Sequence, residues 1–143
     1  MKKLALDLGD ASLGIAISDA HGMLARGLEN ARFASGDYAA MTERVSEVLA
    51  DEPVDEIILG YPRNMDGTRG EQAEKVEAFK ALLETRVDVT ITLYDERLTT
   101  RMAASRMREA GRSRKKRQRT LDQEAAVVLL QDYLDKERDD GGR

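Results

Sequence analysis

The 143-residue chain contains no cysteine. That excludes disulfides and cysteine-ligated zinc and fits a reducing compartment, so the cytoplasm is the expected location. Histidine occurs once, at His21. No Ser/His/Asp set can be built from it, and His21-Gly22 reads as a hairpin turn rather than a general base. Long apolar runs are missing too. Met1-Lys2-Lys3 could open a signal peptide, but Asp7 breaks the run that follows, and no later stretch approaches membrane-span length. No Pro/Gly/Ser-rich linker divides the chain. One domain is therefore expected over 1–138, large enough for a proper core, with a frayed tail at 139–143.

A net charge of -4 argues by itself against nucleic acid. The charge is unevenly placed, however. Arg112-Ser113-Arg114-Lys115-Lys116-Arg117-Gln118-Arg119 holds six basic side chains and no acid. Such a run is commonly a solvated loop between helices. Local sign nonetheless matters more than the total for association.

What the chain does contain is a mixed pattern of strands and helices. In the stretch from Leu4 to Asp19 two apolar runs flank a short polar turn carrying Gly9, the pattern of an antiparallel hairpin. Ala20-His21-Gly22 turns into an irregular third strand around Met23 to Phe33. Tyr38, Met41, Val45, Val48 and Leu49 recur at helical spacing, and Glu56 to Gly60 is a short buried strand. Thr68-Arg69-Gly70-Glu71 matches a capping box opening a helix with Ala73, Val76, Phe79, Leu82 and Leu83. Val87 to Tyr94 alternates as a fifth strand. A helix is expected from Leu98 to Ala110, ended by Gly111, and a last one from about Leu121 to Lys136. The order implies an α/β fold: a mixed five-stranded sheet, three antiparallel strands and then two parallel ones, flanked by helices.

Alternation sets Leu4 and Leu6 on one face and Ala5 and Asp7 on the other, so a carboxylate ends an otherwise apolar strand. Buried there, it must be paired, hydrogen-bonded or metal-bound. Glu96 leaves the fifth strand at the same rim, where sites form in parallel sheets. Asp122 precedes Ala125, Ala126, Leu129 and Tyr133 on one helical stripe; capping alone would also explain it. Three converging carboxylates repel unless a cation joins them. With no His or Cys nearby they form a hard oxygen site suited to Mg²⁺ or Mn²⁺. Two ions roughly 4 Å apart could activate water and stabilise the leaving oxygen of a phosphodiester. Asp10, Asp19 and Asp95 are reserves, each also explained by a turn or strand end. The basic run borders Asp122, so Arg112, Arg114, Lys115, Lys116, Arg117 and Arg119 could hold phosphates, with Arg63, Asn64 and Arg97 extending the surface. Turn formation is the competing account of Asn64, Gly67 and Thr68. The run holds no aromatic residue, which favours backbone contact over base stacking.

LALDLGDASLGIAISD, ILGYPRNMDGTRGEQA, YDERLTTRMA and RSRKKRQRTLDQEAAVVLLQDYLD, in that order, resemble the YqgF (RuvX) family over nearly the whole chain. The resemblance implies a ribonuclease H-like fold and a metal-dependent nuclease maturing the 5′ end of pre-16S rRNA, in a family also similar to Holliday junction resolvases. Its catalytic, metal-binding carboxylates fall on Asp7, Glu96 and Asp122. Asp10-Ala11-Ser12 stands where the family usually carries Thr-Lys-Arg, which removes a basic contribution at that turn. The expected partner is RNA, with structured DNA as the alternative; a resolvase would be a homodimer, whereas a monomer suffices for RNA. No membrane partner is expected. A two-lobed kinase relative does not fit this length, and a non-catalytic nucleic-acid-binding protein is the other competing class.

Overall fold

The computed structural model of the protein describes residues 1–63, 66–98 and 114–141, and only the backbone at 98, 114–124 and 140–141. Strands β1 (Lys3–Leu8), β2 (Ser12–Ser18) and β3 (Ala25–Arg32) precede helix α1 (Tyr38–Asp51). Strand β4 (Glu56–Tyr61), helix α2 (Glu71–Glu84) and strand β5 (Thr90–Asp95) follow. A 3-10 turn (Glu96–Leu98) and a long helix α3 (Arg114–Gly141) complete the chain as described. The sheet order is β3-β2-β1-β4-β5. β1 pairs antiparallel with β2 and β2 with β3, while β1–β4 and β4–β5 are parallel. The expected mixed sheet is what forms.

Strand alternation divides the core in two. Leu4, Leu6, Leu13, Ile15, Ile17, Ile57 and Leu59 face α1 and α2, where Met41, Val45, Phe79 and Leu83 meet them. Ala5, Ala16 and Ile58 face α3 and pack on Ala125, Ala126, Leu129 and Leu130. Alanines on both surfaces let α3 lie close to the sheet. Asp37 caps α1 by accepting from the Ala40 N–H at 3.1 Å.

Several boundaries differ from the sequence expectation. Val87 is not in β5, because its N–H closes α2 on the Leu83 carbonyl at 3.1 Å. The capping box does not form: Gly70 is the N-cap and makes no side-chain cap bond. The Thr68 hydroxyl instead donates to Asp66 at 2.6 Å. Helix α3 is longer than its apolar stripe at both ends. It begins at Arg114, so the basic run from Arg114 to Arg119 is helical rather than a loop, as the good helix propensity of Arg, Lys and Gln permits. At the other end the helix continues to Gly141. The helix expected over 98–110 and its Gly111 cap lie outside the described residues.

At the sheet end opposite the rim, Glu56 accepts from Lys3 Nζ at 2.9 Å, Thr92 Oγ1 at 2.5 Å and the Tyr133 hydroxyl at 3.0 Å. Burial works to raise its pKa, but these bonds outweigh burial and hold the carboxyl below its ordinary 4.5. A folded value below the unfolded one means stabilisation that is complete above the unfolded pKa and lost as pH falls through the folded one. Glu56→Gln is therefore expected to lower the unfolding free energy at neutral pH by about 1.5–3 kcal/mol. Urea unfolding of both proteins along a descending pH series should show that difference closing in acid; a difference independent of pH would refute the assignment.

Candidate active site

Asp7 ends β1 on the face that α3 covers, with Gly14 of β2 as its ladder partner. The β1–β4 ladder ends with Leu6 opposite Leu59, and one residue further sets Asp7 beside Gly60. Asp7 thus stands between two glycines. On the far side of Gly60 the chain leaves β5 through Asp95 into the 3-10 turn that begins at Glu96. A Cβ built on Gly60 would lie 3.6 Å from the Glu96 carboxyl carbon and 3.3 Å from Leu129 Cδ2. The Glu96 carboxyl therefore lies close over Gly60.

Asp122 belongs to α3, three and four residues before the buried Ala125 and Ala126; its side chain is outside the described residues. Among the described residues no three acidic or histidine side chains gather closely enough to hold an ion. Two carboxylates on either side of Gly60 offer oxygen donors, the kind that a hard divalent cation takes.

The reserve acids have other work. Asp10 pairs with Lys75 of α2 at 3.0 Å. Asp19 accepts the Met23 N–H at 2.7 Å, and these turn amides hold its carboxyl below the usual range. Asp95 receives Arg97 on both oxygens, at 2.6 and 3.1 Å, which likewise keeps it low. Arg97 is thus anchored at the rim beside Glu96. Arg63 is exposed and lies 5.4 Å from the Tyr61 ring centroid. Glu77 accepts both the Tyr61 hydroxyl and Arg69, which holds that platform in place. His21 sits in the β2–β3 turn, lining a cavity of about 320 Å³ with Lys3, Leu134 and Arg138. Arg114, Lys115, Lys116, Arg117 and Arg119 start α3; Arg112 and Asn64 lie outside the described residues. Gly60, Lys75 and Glu77 carry no sequence mark as rim residues, except that a glycine inside a buried strand signals close approach.

The family model described as "RuvX: Holliday junction resolvase" matches residues 1–136. The chain belongs to this family. A relative from Bacillus subtilis (strain 168), named "Putative pre-16S rRNA nuclease", is 44% identical over 137 residues, 94% of this chain and 98% of its own. One of the same name from Geobacillus kaustophilus is 45% identical over 141 residues, 96% of this chain and 100% of its own. Among solved structures, T. thermophilus RuvC in complex with Holliday junction substrate aligns with a TM-score of 0.66 at 16% identity, over 98% of this chain and 96% of that one. Fowlpox virus resolvase with substrate Holliday junction DNA gives 0.58 at 13%, over 96% and 99%. At such identities the likeness establishes the fold, which is that of the RuvC-like members of the ribonuclease H class.

Because a ligand that binds only the native state stabilises it, Mn²⁺ in large excess should raise the melting temperature of the wild type, the unfolding free energy growing by about 2.7 kcal/mol when free ion is 100 times Kd. Asp7→Asn should show a smaller rise, and so should Gly60→Ala, whose methyl group would press on Leu129 at 3.3 Å and take up space beside the Glu96 carboxyl at 3.6 Å. Equal shifts in all three proteins would rule out a cation between these acids.

Proposed function

We propose that the protein is a metal-dependent endonuclease that hydrolyses phosphodiester bonds in structured RNA, with 5′-end maturation of pre-16S rRNA as its role. The observation that carries this is the pair Asp7 and Glu96 flanking Gly60 beneath α3. A count along the fold supports Asp122 as the third acid. Gln131 bonds the Ala25 N–H, and Ala25 pairs with Ser18. From Ser18 to Gly14, the partner of Asp7, is four strand residues, roughly 13 Å. Helix α3 covers that in about nine residues, which leads back from Gln131 to Asp122.

Asp7, Glu96 and Asp122 would hold Mg²⁺ or Mn²⁺, two ions in this proposal, which supply an activated water and charge neutralisation at the leaving oxygen. The chain's own part is orientation. Strand β1 and the 3-10 turn fix two carboxylates on a rigid sheet end. Arg63, Asn64, Arg97, Arg112 and the basic turns of α3 hold phosphates on either side, reading backbone shape more than sequence. The names of the relatives in B. subtilis and G. kaustophilus favour RNA as the substrate. The description of the matching family and the junction-bound neighbours favour four-way DNA as the second reading. That reading calls for a homodimer, since symmetric cutting of two strands needs two sites.

The deciding measurement is cleavage of a labelled pre-16S rRNA fragment and of a synthetic four-way junction, with Mn²⁺ or EDTA. Wild type should cut the RNA only with metal, and Asp122→Asn, which keeps the side chain's size without its charge, should lose at least about 10²-fold in rate. Preferred cutting of the junction would reassign the substrate. Binding without cutting, equal in both proteins, would overturn the nuclease.

A further inference from the structure

Three consecutive residues of α3 bind three different strands. Gln131 Oε1 accepts the Ala25 N–H of β3 at 2.9 Å, and its Nε2 donates to the Met23 carbonyl at 2.9 Å. Asp132 Oδ2 accepts the Tyr94 hydroxyl of β5 at 2.5 Å. The Tyr133 hydroxyl donates to Glu56 of β4 at 3.0 Å. Around the middle bond, Lys136 pairs with Asp132 at 3.2 Å and lies 5.5 Å from the Tyr94 ring centroid. The Tyr94 and Tyr133 rings meet edge to face at 5.8 Å.

Among the described side chains, the rest of the buried α3 surface is apolar: Ala125, Ala126, Leu129, Leu130 and Leu134. Contact between alanines presses a helix onto a sheet without choosing its position along its own axis, because the hydrophobic effect has no direction. A hydrogen bond does choose, since it weakens steeply away from one geometry. Tyr94 and Asp132 are only 7% and 9% exposed. Water therefore cannot readily take over from either partner, and a carboxylate buried this far must keep its bonds.

The two ends of this bond lead to two members of the carboxylate rim. Tyr94 stands two residues before Glu96 on the same chain. Asp132 stands ten residues after Asp122 on one uninterrupted helix, roughly 15 Å along its axis. We propose that Asp132, through Tyr94, is a positioning residue for the metal site: it fixes the axial placement of α3 on β5, and with it where Asp122 stands relative to Glu96. The proposal rests on the carboxylate site inferred above. A cluster that touches neither cation nor substrate would then control cation affinity.

The test is calorimetric titration of the full chain with Mn²⁺ alone, without nucleic acid, alongside circular dichroism of the metal-free proteins. Tyr94→Phe and Asp132→Ala are expected to raise Kd for Mn²⁺ about tenfold, as loss of a group supporting a metal ligand does. Asp132→Asn keeps an acceptor for the Tyr94 hydroxyl and should stay near wild type. In an Asp122→Asn background, Tyr94→Phe should weaken binding no further, because residues acting through one another are not additive. Should Asp132→Ala fail to fold, Tyr94→Phe, which removes one oxygen, decides alone. Unchanged Mn²⁺ affinity in Tyr94→Phe, or an equal loss with and without Asp122, would overturn the proposal and leave the bond merely structural. Wild type that binds no Mn²⁺, or Asp122→Asn that binds it as well as wild type, would instead sink the metal site on which the proposal stands.

Discussion

Among the described residues a single helix covers one face of the sheet, and at its closest approach it does so through alanines. Ala125 and Ala126 of α3 rest on Ala5 and Ala16, with Ile58 beside them. Small side chains on both surfaces bring the helix axis close, so whatever the N-terminal half of α3 carries is held near the strand ends. This close approach makes Asp7 exceptional: it ends the strand whose Leu4, Ala5 and Leu6 are wholly buried. On the opposite face α1 and α2 use large residues, among them Met41, Val45 and Phe79, and no carboxylate enters that core. The two faces thus divide labour, one supplying apolar burial and the other holding charge at its edge.

Carboxylates at the two ends of the sheet are handled in different ways. Glu56 has its oxygens filled by Lys3, Thr92 and Tyr133, a closed set that ties β1, β4, β5 and α3 together. At the rim, neighbouring acids are drawn aside into ion pairs, Asp10 with Lys75 and Asp95 with Arg97. Exposed pairs of this kind contribute little stability. Their effect is on placement: Asp95 turns its charge toward Arg97, and Glu96, next in the chain, lies over Gly60. A run of two acids is split between a local partner and the site.

What the sequence discloses follows the range of the interaction that decides it. Period-two alternation put Asp7 opposite the leucines, and the parallel order of β1, β4 and β5 followed from short crossovers; both are local or nearly so. The start of α3 was hidden because its first turns are charged all round, and the apolar stripe that reveals an amphipathic helix begins only at Ala125. Thr68 looked like a cap by spacing alone, but Asp66 two residues earlier competes for its hydroxyl, a contest that the pattern does not rank. Gly60 could be read as a point of close approach, yet that it stands beside Asp7 and under Glu96 depends on ladder register between segments about fifty and thirty-six residues apart. Tyr94 and Asp132 each look like an ordinary strand tyrosine and an ordinary helix acid until β5 and α3 are side by side.

The arrangement of charge along α3 closes the argument. Its first turn contains no acid and begins Arg114-Lys115-Lys116-Arg117. Cations at a helix N-terminus oppose the macrodipole, at about 0.3–1 kcal/mol for each charge in the first turn. On helix grounds alone this end is the wrong way round. Asp7 and Glu96 bring negative charge to the strand ends at the same side of the sheet. The two clusters are opposite in sign, and under the proposed function phosphate would meet the basic turns and divalent cations the acids. A nucleic-acid backbone carrying metal ions supplies both at once. In that proposal the two charge clusters are the two sides of a phosphodiester site, and the basic end of α3 is kept at some cost in helix stability.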